Sequence, residues 1–186
     1  MDNDLARIGD WIQTYTGGNF YPLDPRSEDI NIRDIAHSLS LLCRFNGHCT
    51  KFYSVAEHSV HVAAGVALAT DSILEVRHAL LHDSAEAYLS DVPRPTKGMM
   101  PGYKDLEKRV EDAIAVTFSL DTPLCTIAVK EIDFRMLSNE QTLCMAPPPL
   151  PWHLHPKGPV EGITIEFWAP EEAEQRFLEC YHQLWP

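Results

Sequence analysis

Between residues 79 and 95 the chain reads ALLHDSAEAYLSDVPRP, an apolar run interrupted by His82, Asp83, Glu86 and Asp91. On a helix His82 and Asp83 stand about 100° apart and Glu86 lies one turn beyond both, so the three share one broad face. A lone histidine there is ordinarily a satisfied core residue. A carboxylate is different, because burying it ionised and unpartnered is so costly that it demands a cation, a salt bridge or a metal. The nearest basic residue in helical register, Arg77, is poorly placed, and a divalent metal is the economical answer. One helix cannot supply enough ligands. Two further positions place the right donor types inside apolar segments: His58, among Val55, Val60 and Val62, and Asp133, between Ile132 and Phe134.

The elements that must position these groups are helical. Ser54 with Glu57, and Ser72 with Glu75, have the S-x-x-E spacing of a capping box. The first places His58 in the opening turn of one helix; the second begins a helix running to about Leu89, before Pro93 and Pro95 deny it amide donors. A third helix is predicted over 104–118. Thr122 as N-cap and Pro123 as first residue predict a fourth through IAVKEIDFRMLSNEQTLCM, with Asp133 in its interior. Shorter helices are predicted at 3–14, 32–43 and 170–184, and GITIEF at 162–167 alternates weakly, as an edge strand or hairpin arm does. The segment APPPLPWHLHPKGP carries six prolines in residues 147–159 and reads as a stiff loop, a connector first and a wall over a site as the alternative. The predicted class is all-α: a helical bundle around a metal site, with a short β-hairpin near the C-terminus.

At 186 residues and 45% apolar content the chain can bury one substantial core, so residues 1–186 are read as one domain. Its core falls at about 31–145, followed by the Pro-rich loop and a helix over 146–186. A formal charge of −12 and a pI near 5.1 disfavour a duplex nucleic-acid footprint, without excluding a local basic pocket for a small anion. Cysteines 43, 49, 125, 144 and 180 form no C-x-x-C pair, which argues against a disulfide framework or zinc ribbon. There is no targeting signal and no run long enough to span a membrane; a cytoplasmic location is expected, the host cytoplasm for a phage-encoded chain.

EHS at 57–59, HDSAE at 82–86 with Asp91 five residues on, and EID at 131–133 together resemble the H…HD…D signature of the HD-domain phosphohydrolases. With DVPRPTK after the second motif, the pattern over about residues 31–145 is most similar to the small deoxynucleoside 5′-monophosphatases and to the phage and prophage enzymes that remove triphosphate from dATP. The resemblance implies His58, His82, Asp83 and Asp133 as ligands of one divalent metal. Zn, Co, Mn and Fe all suit mixed imidazole and carboxylate ligation, and Mg is an additional ion with a triphosphate substrate. It also implies that Glu86 orients or deprotonates the attacking water and that Asp91 assists proton transfer to the leaving oxygen. Arg44 falls on the phosphate, Phe45 against the base, and Lys97 on the lysine after the Pro-x-Pro turn. The expected partner is a small-molecule nucleotide, dATP above others, with no duplex nucleic acid and no membrane, and a homo-oligomer is the expected assembly. For a triphosphate, Lys104 and Arg109 are further candidate cations.

His48, His61 and His78 lie outside that signature and are read as packing or surface residues, with an extra metal as the alternative. Asn46 and Gly47 match no base-selecting residue, so base preference stays open. Three competing functions remain: a 5′-nucleotidase, an HD-type di-iron oxygenase that would need further histidine ligands, and a regulatory nucleotide-binding module with a structural metal, which would have no use for Glu86 and Asp91.

Overall fold

In the computed structural model, which describes residues 6–186, helix starts follow their capping residues. The Asn31 side chain accepts the Arg33 amide at the start of α1 (Ile32–Leu41). Ser54 accepts the Glu57 amide at 3.0 Å to open α2 (Val55–Ala69), and Ser72 accepts that of Glu75 at 3.3 Å to open α3 (Ile73–Leu81). Neither capping box closes, because both glutamates reach further. The Glu57 carboxylate accepts the backbone N–H groups of Glu166 and Phe167 at 2.9 Å and of Trp168 at 2.8 Å, while Glu75 Oε2 accepts the Thr126 hydroxyl. This overturns the strand expected at 162–167: its last amides serve a buried carboxylate, and no strand forms there.

The helix expected from Ser72 to Leu89 is also interrupted. Past Leu81 the amides of Ser84, Glu86 and Ala87 bond the carbonyls of Leu81, Asp83 and Ser84, three residues back. This tight 3₁₀-like winding occupies His82–Ala85, and α4 (Glu86–Leu89) resumes beyond it. The short α5 (Arg94–Lys97) follows, then α6 (Tyr103–Phe118). Helix α7 (Ile127–Cys144) is capped by Thr126, whose hydroxyl accepts the Val129 amide, rather than by Thr122. Leu124 is fully buried and its carbonyl is bonded by His78 Nδ1 at 3.1 Å, an acceptor that a helix begun at Pro123 would need for itself. Helix α8 (Pro170–Leu184) starts on Pro170 and buries Ala173 and Phe177.

The described part of the helix expected at 3–14 is instead extended; residues 3–5 of it lie outside the described residues. Strands β1 (Ile12–Gln13) and β2 (Asn19–Phe20) pair antiparallel, Ile12 opposite Phe20, so the short hairpin lies near the N-terminus rather than the C-terminus. Gly17, at φ +89°, makes the turn, and buried Asp34 of α1 accepts both the Thr16 amide at 2.6 Å and its hydroxyl at 2.9 Å. Phe20 is fully buried and stacks on Tyr88, whereas Trp11, Ile12 and Tyr15 are exposed.

One hydrophobic core runs from Phe20 to Phe177, and α2 lies at its centre, packed against α1, α3, α7 and α8. Gly65 sets the α2–α7 approach: a Cβ there would lie 2.8 Å from Ile132 Cγ2. On α7, residues 133, 137 and 140 form one stripe. Residues 131, 135 and 139 form another, which ties down the Pro-rich loop: Glu131 pairs with His155 and Lys157, Arg135 bonds the Gly158 and Pro159 carbonyls, and Asn139 exchanges hydrogen bonds with Val160. All five cysteines are free, and no described helix is long and apolar enough to cross a membrane.

Candidate functional site

Helix α2, the α3–α4 junction and α7 bring His58, His82, Asp83 and Asp133 to one point. The ligand atoms of His58, His82 and Asp133 lie within 4.8 Å of one another. Asp83 Oδ2 is 3.1 Å from His82 Nε2 and 3.6 Å from His58 Nε2, and Asp133 Oδ1 is 3.3 Å from His58 Nε2. The sequence placed these carboxylates in an apolar interior; the structure places them at a cavity wall, with 23% of the Asp83 and 27% of the Asp133 side chain exposed. The imidazoles are buried.

The chain fixes the tautomer of each imidazole. His82 Nδ1 lies 2.7 Å from the Ala79 carbonyl, which can only accept, so Nδ1 carries the proton and Nε2 presents its lone pair. His58 Nδ1 lies 2.7 Å from Glu140 Oε1, which orders that ring in the same way. Both Nε2 atoms are buried without a hydrogen-bond partner. Two unpartnered imidazole nitrogens converging with two carboxylates are a donor set that fits a divalent cation and could hold one.

Behind these residues stands Glu140, fully buried, which the sequence reading missed. It joins His58 to Arg44: the Arg44 Nη2–Oε2 and Nε–Oε1 distances are both 3.1 Å. Burial alone would raise its pKa, but Arg44 and His58 outweigh burial and hold it down at about 2. His58 is the converse. Burial and Arg44 disfavour its imidazolium, yet Glu140 and Asp133 raise its pKa to about 9 in the protein alone. For Asp83, His82, His58 and Arg44 overcome burial and hold the carboxyl low.

Asp83 and Asp133 open onto a cavity of about 640 Å³, which every remaining predicted site residue also lines: Arg44, Phe45, Glu86, Asp91 and Lys97. Glu86 Oε2 is buried and unpartnered. Burial, then Asp83 and Asp91, push the Glu86 pKa well above the carboxylate range; burial and Asp83 raise that of Asp91 too. Lys97 is already paired, its Nζ 2.6 Å from Glu107 Oε1. Phe45 is held in left-handed backbone, as is Asn46, at φ +53° and +54°, with Gly47 following at +78°. A bulky residue there costs roughly 1–3 kcal/mol and persists only where its surroundings enforce it. Here the Arg44 N–H···Tyr53 and Thr50 N–H···Cys144 bonds pin the loop from both ends.

Pro151, Trp152 and His153 also line this cavity, and the Trp152 ring centroid lies 5.8 Å from that of Phe45. The Pro-rich segment is therefore a wall of the site, not a mere connector. His61 contacts Glu57 and Trp168, His78 the Leu124 carbonyl, and His48 is exposed, so all three have packing or surface roles. Lys104 and Arg109 do not line the cavity; Arg109 Nη1 reaches the Leu23 carbonyl. Two other hollows, of about 520 and 820 Å³, gather no comparable set of groups among the described residues.

No known protein-family profile matches the chain. It is 40% identical over 131 residues to the Escherichia coli K12 protein named "Uncharacterized protein YfdR", covering 70% of each chain. It is also 40% identical over 186 residues to "Uncharacterized protein RCAP_rcc00048" of Rhodobacter capsulatus, covering 94% of this chain and 95% of that one. With such identity over most of each relative, the chain belongs to the same protein family as YfdR and RCAP_rcc00048.

Proposed function

We infer that the protein is a metal-dependent deoxynucleotide phosphohydrolase of the HD-domain type, acting on dATP to release deoxyadenosine and triphosphate. One observation carries this reading: two buried, unpartnered imidazole nitrogens converge with Asp83 and Asp133 at the floor of the cavity that also holds Glu86, Asp91 and Arg44. A divalent cation held by His58, His82, Asp83 and Asp133 would supply Lewis acidity, making bound water nucleophilic near neutral pH and polarising a phosphoryl oxygen. The remaining work falls to the chain. Glu86, whose raised pKa makes its carboxylate a stronger base, takes the proton of the attacking water through its unpartnered Oε2. Asp91, also raised, protonates the departing 5′ oxygen. Arg44, held by Glu140, presents its guanidinium to the phosphoryl group, and Phe45 with Trp152 forms the apolar end against which the base rests.

The engagement of His61 and His78 elsewhere favours this reading over a di-iron oxygenase. A metal-supplemented screen of ribo- and deoxynucleoside mono- and triphosphates tests it, with separate detection of phosphate and triphosphate. Triphosphate from dATP is the expected product. Phosphate from deoxynucleoside monophosphates alone would make the protein a 5′-nucleotidase; tight binding without turnover would make it a regulatory module.

A further inference from the structure

Three arginine and lysine side chains line the cavity, and two of them are already committed. Arg44 sits 3.1 Å from Glu140 and 3.7 Å from Asp83, and Lys97 sits 2.6 Å from Glu107. The third, Arg94, is exposed, and among the described residues no carboxylate pairs with its guanidinium and no hydrogen bond engages it. The same wall carries Asp83, Glu86, Asp91 and Asp133, an acidic set that repels each phosphate beyond the one at the metal point. A polyphosphate tail therefore needs a cation that the protein has not already neutralised. Arg94 is also presented rigidly. Pro93 and Pro95 flank it and restrict its backbone, and the Lys97 N–H···Pro93 and Gly98 N–H···Arg94 bonds close the turn at 2.9 and 3.2 Å. Only its side chain remains to be ordered on binding, and a guanidinium fork matches two phosphate oxygens at once.

Resting on the phosphohydrolase reading, we propose that Arg94 is the receptor for the distal phosphates and makes this cavity select a triphosphate over a monophosphate. The test uses the full chain at fixed free Mn²⁺, titrated calorimetrically with inorganic tripolyphosphate and, separately, with inorganic phosphate. Wild type should bind tripolyphosphate the more tightly. Arg94→Ala should weaken tripolyphosphate roughly tenfold or more, a charge-assisted bidentate contact being lost, and change phosphate by less than about threefold; Arg94→Lys should recover only part. In steady state, KM for dATP should rise in Arg94→Ala with kcat little changed. Lys104→Ala, which removes an exposed charge outside the cavity, should leave both titrations unaltered. Unchanged tripolyphosphate affinity in Arg94→Ala, an equal loss for both anions, or an equal loss in Lys104→Ala would overturn the proposal. Failure of every nucleotide to turn over would instead count against the reaction, while the titrations would still decide the role of Arg94.

Discussion

Glu140→Gln tests the electrostatic frame of the site. The carboxylate is fully buried, contacts Arg44 at 3.1 Å and His58 at 2.7 Å, and has its pKa held at about 2 against an ordinary 4.5. That depression corresponds to about 3 kcal/mol, within the range of roughly 3–5 kcal/mol found when one member of a buried charge pair is removed. An amide keeps the shape but not the charge, so Arg44 loses its counter-ion and His58 its strong acceptor. For a chain of this length the expected drop in Tm at pH 7 is roughly 6–12 °C. The sign with pH follows from the depressed pKa. The carboxylate's contribution is complete above about pH 4.5 and is lost as pH falls through about 2, while the His58 contribution that Glu140 supports is complete below about pH 6.5 and fades as pH rises towards 9, so the gap between wild type and variant in urea unfolding should be widest at about pH 5–6.5 and narrow on either side. Divalent-metal affinity should fall about 10–100-fold, because His58 loses the contact that fixes its tautomer. A variant within 0.5 kcal/mol of wild type at pH 7, or a gap that stays undiminished down to about pH 2, would refute the reasoning.

Adding Mn²⁺ at about 100 times its Kd should stabilise wild type by about 2.7 kcal/mol in a thermal-shift assay, and Asp83→Ala should lose this response together with turnover. Glu86→Ala should keep the metal-dependent shift while losing about 10²-fold in kcat; loss of the shift would make Glu86 a ligand. Glu57→Gln removes the charge that receives three consecutive amides and should cost about 2 kcal/mol in urea unfolding, with hydrogen exchange at residues 166–168 accelerating ahead of the core. Gly65→Val should destabilise by about 1–3 kcal/mol through overpacking against Ile132 and weaken metal affinity by parting α2 from α7; tight metal binding in that variant would separate helix spacing from the site.

What could be read locally was read well. The hydroxyl caps at Ser54 and Ser72 are local chemistry, and they placed the starts of α2 and α3 to the residue. Of the four residues expected as ligands, His58, His82 and Asp133 bring their donor atoms within 4.8 Å of one another, and Asp83 lies 3.1 Å from His82. The misses are cases where a partner distant in sequence decides. Glu57 takes the amides of GITIEFW from 109 to 111 residues away, and nothing in that segment announces that its donors are spent. The Tyr88 ring that receives Phe20 favours a hairpin where a helix over 3–14 is expected. Apolar periodicity cannot separate 3.6 from 3.0 residues per turn over a few residues, so the tight winding at His82–Ala85 was invisible. Glu140 was legible: it lies seven residues beyond Asp133 on the same stripe of α7, and a carboxylate repeating that spacing was a signal passed over.

The Glu57 contact has a consequence for how the chain is made. Synthesis delivers α2 long before residues 166–168, yet the carboxylate beside His58 finds its three amide donors only there. Until that tail has emerged, the central helix holds a charge it cannot bury. Full hydrogen bonding of the helix that carries His58 therefore awaits the C-terminal segment. A product truncated before residue 166 keeps every proposed ligand but leaves Glu57 with His61 as its one remaining side-chain partner among the described residues, so hydrogen exchange in α2 should be faster there than in the full chain. The contact thus ties the settling of the central helix to the arrival of a segment more than a hundred residues downstream.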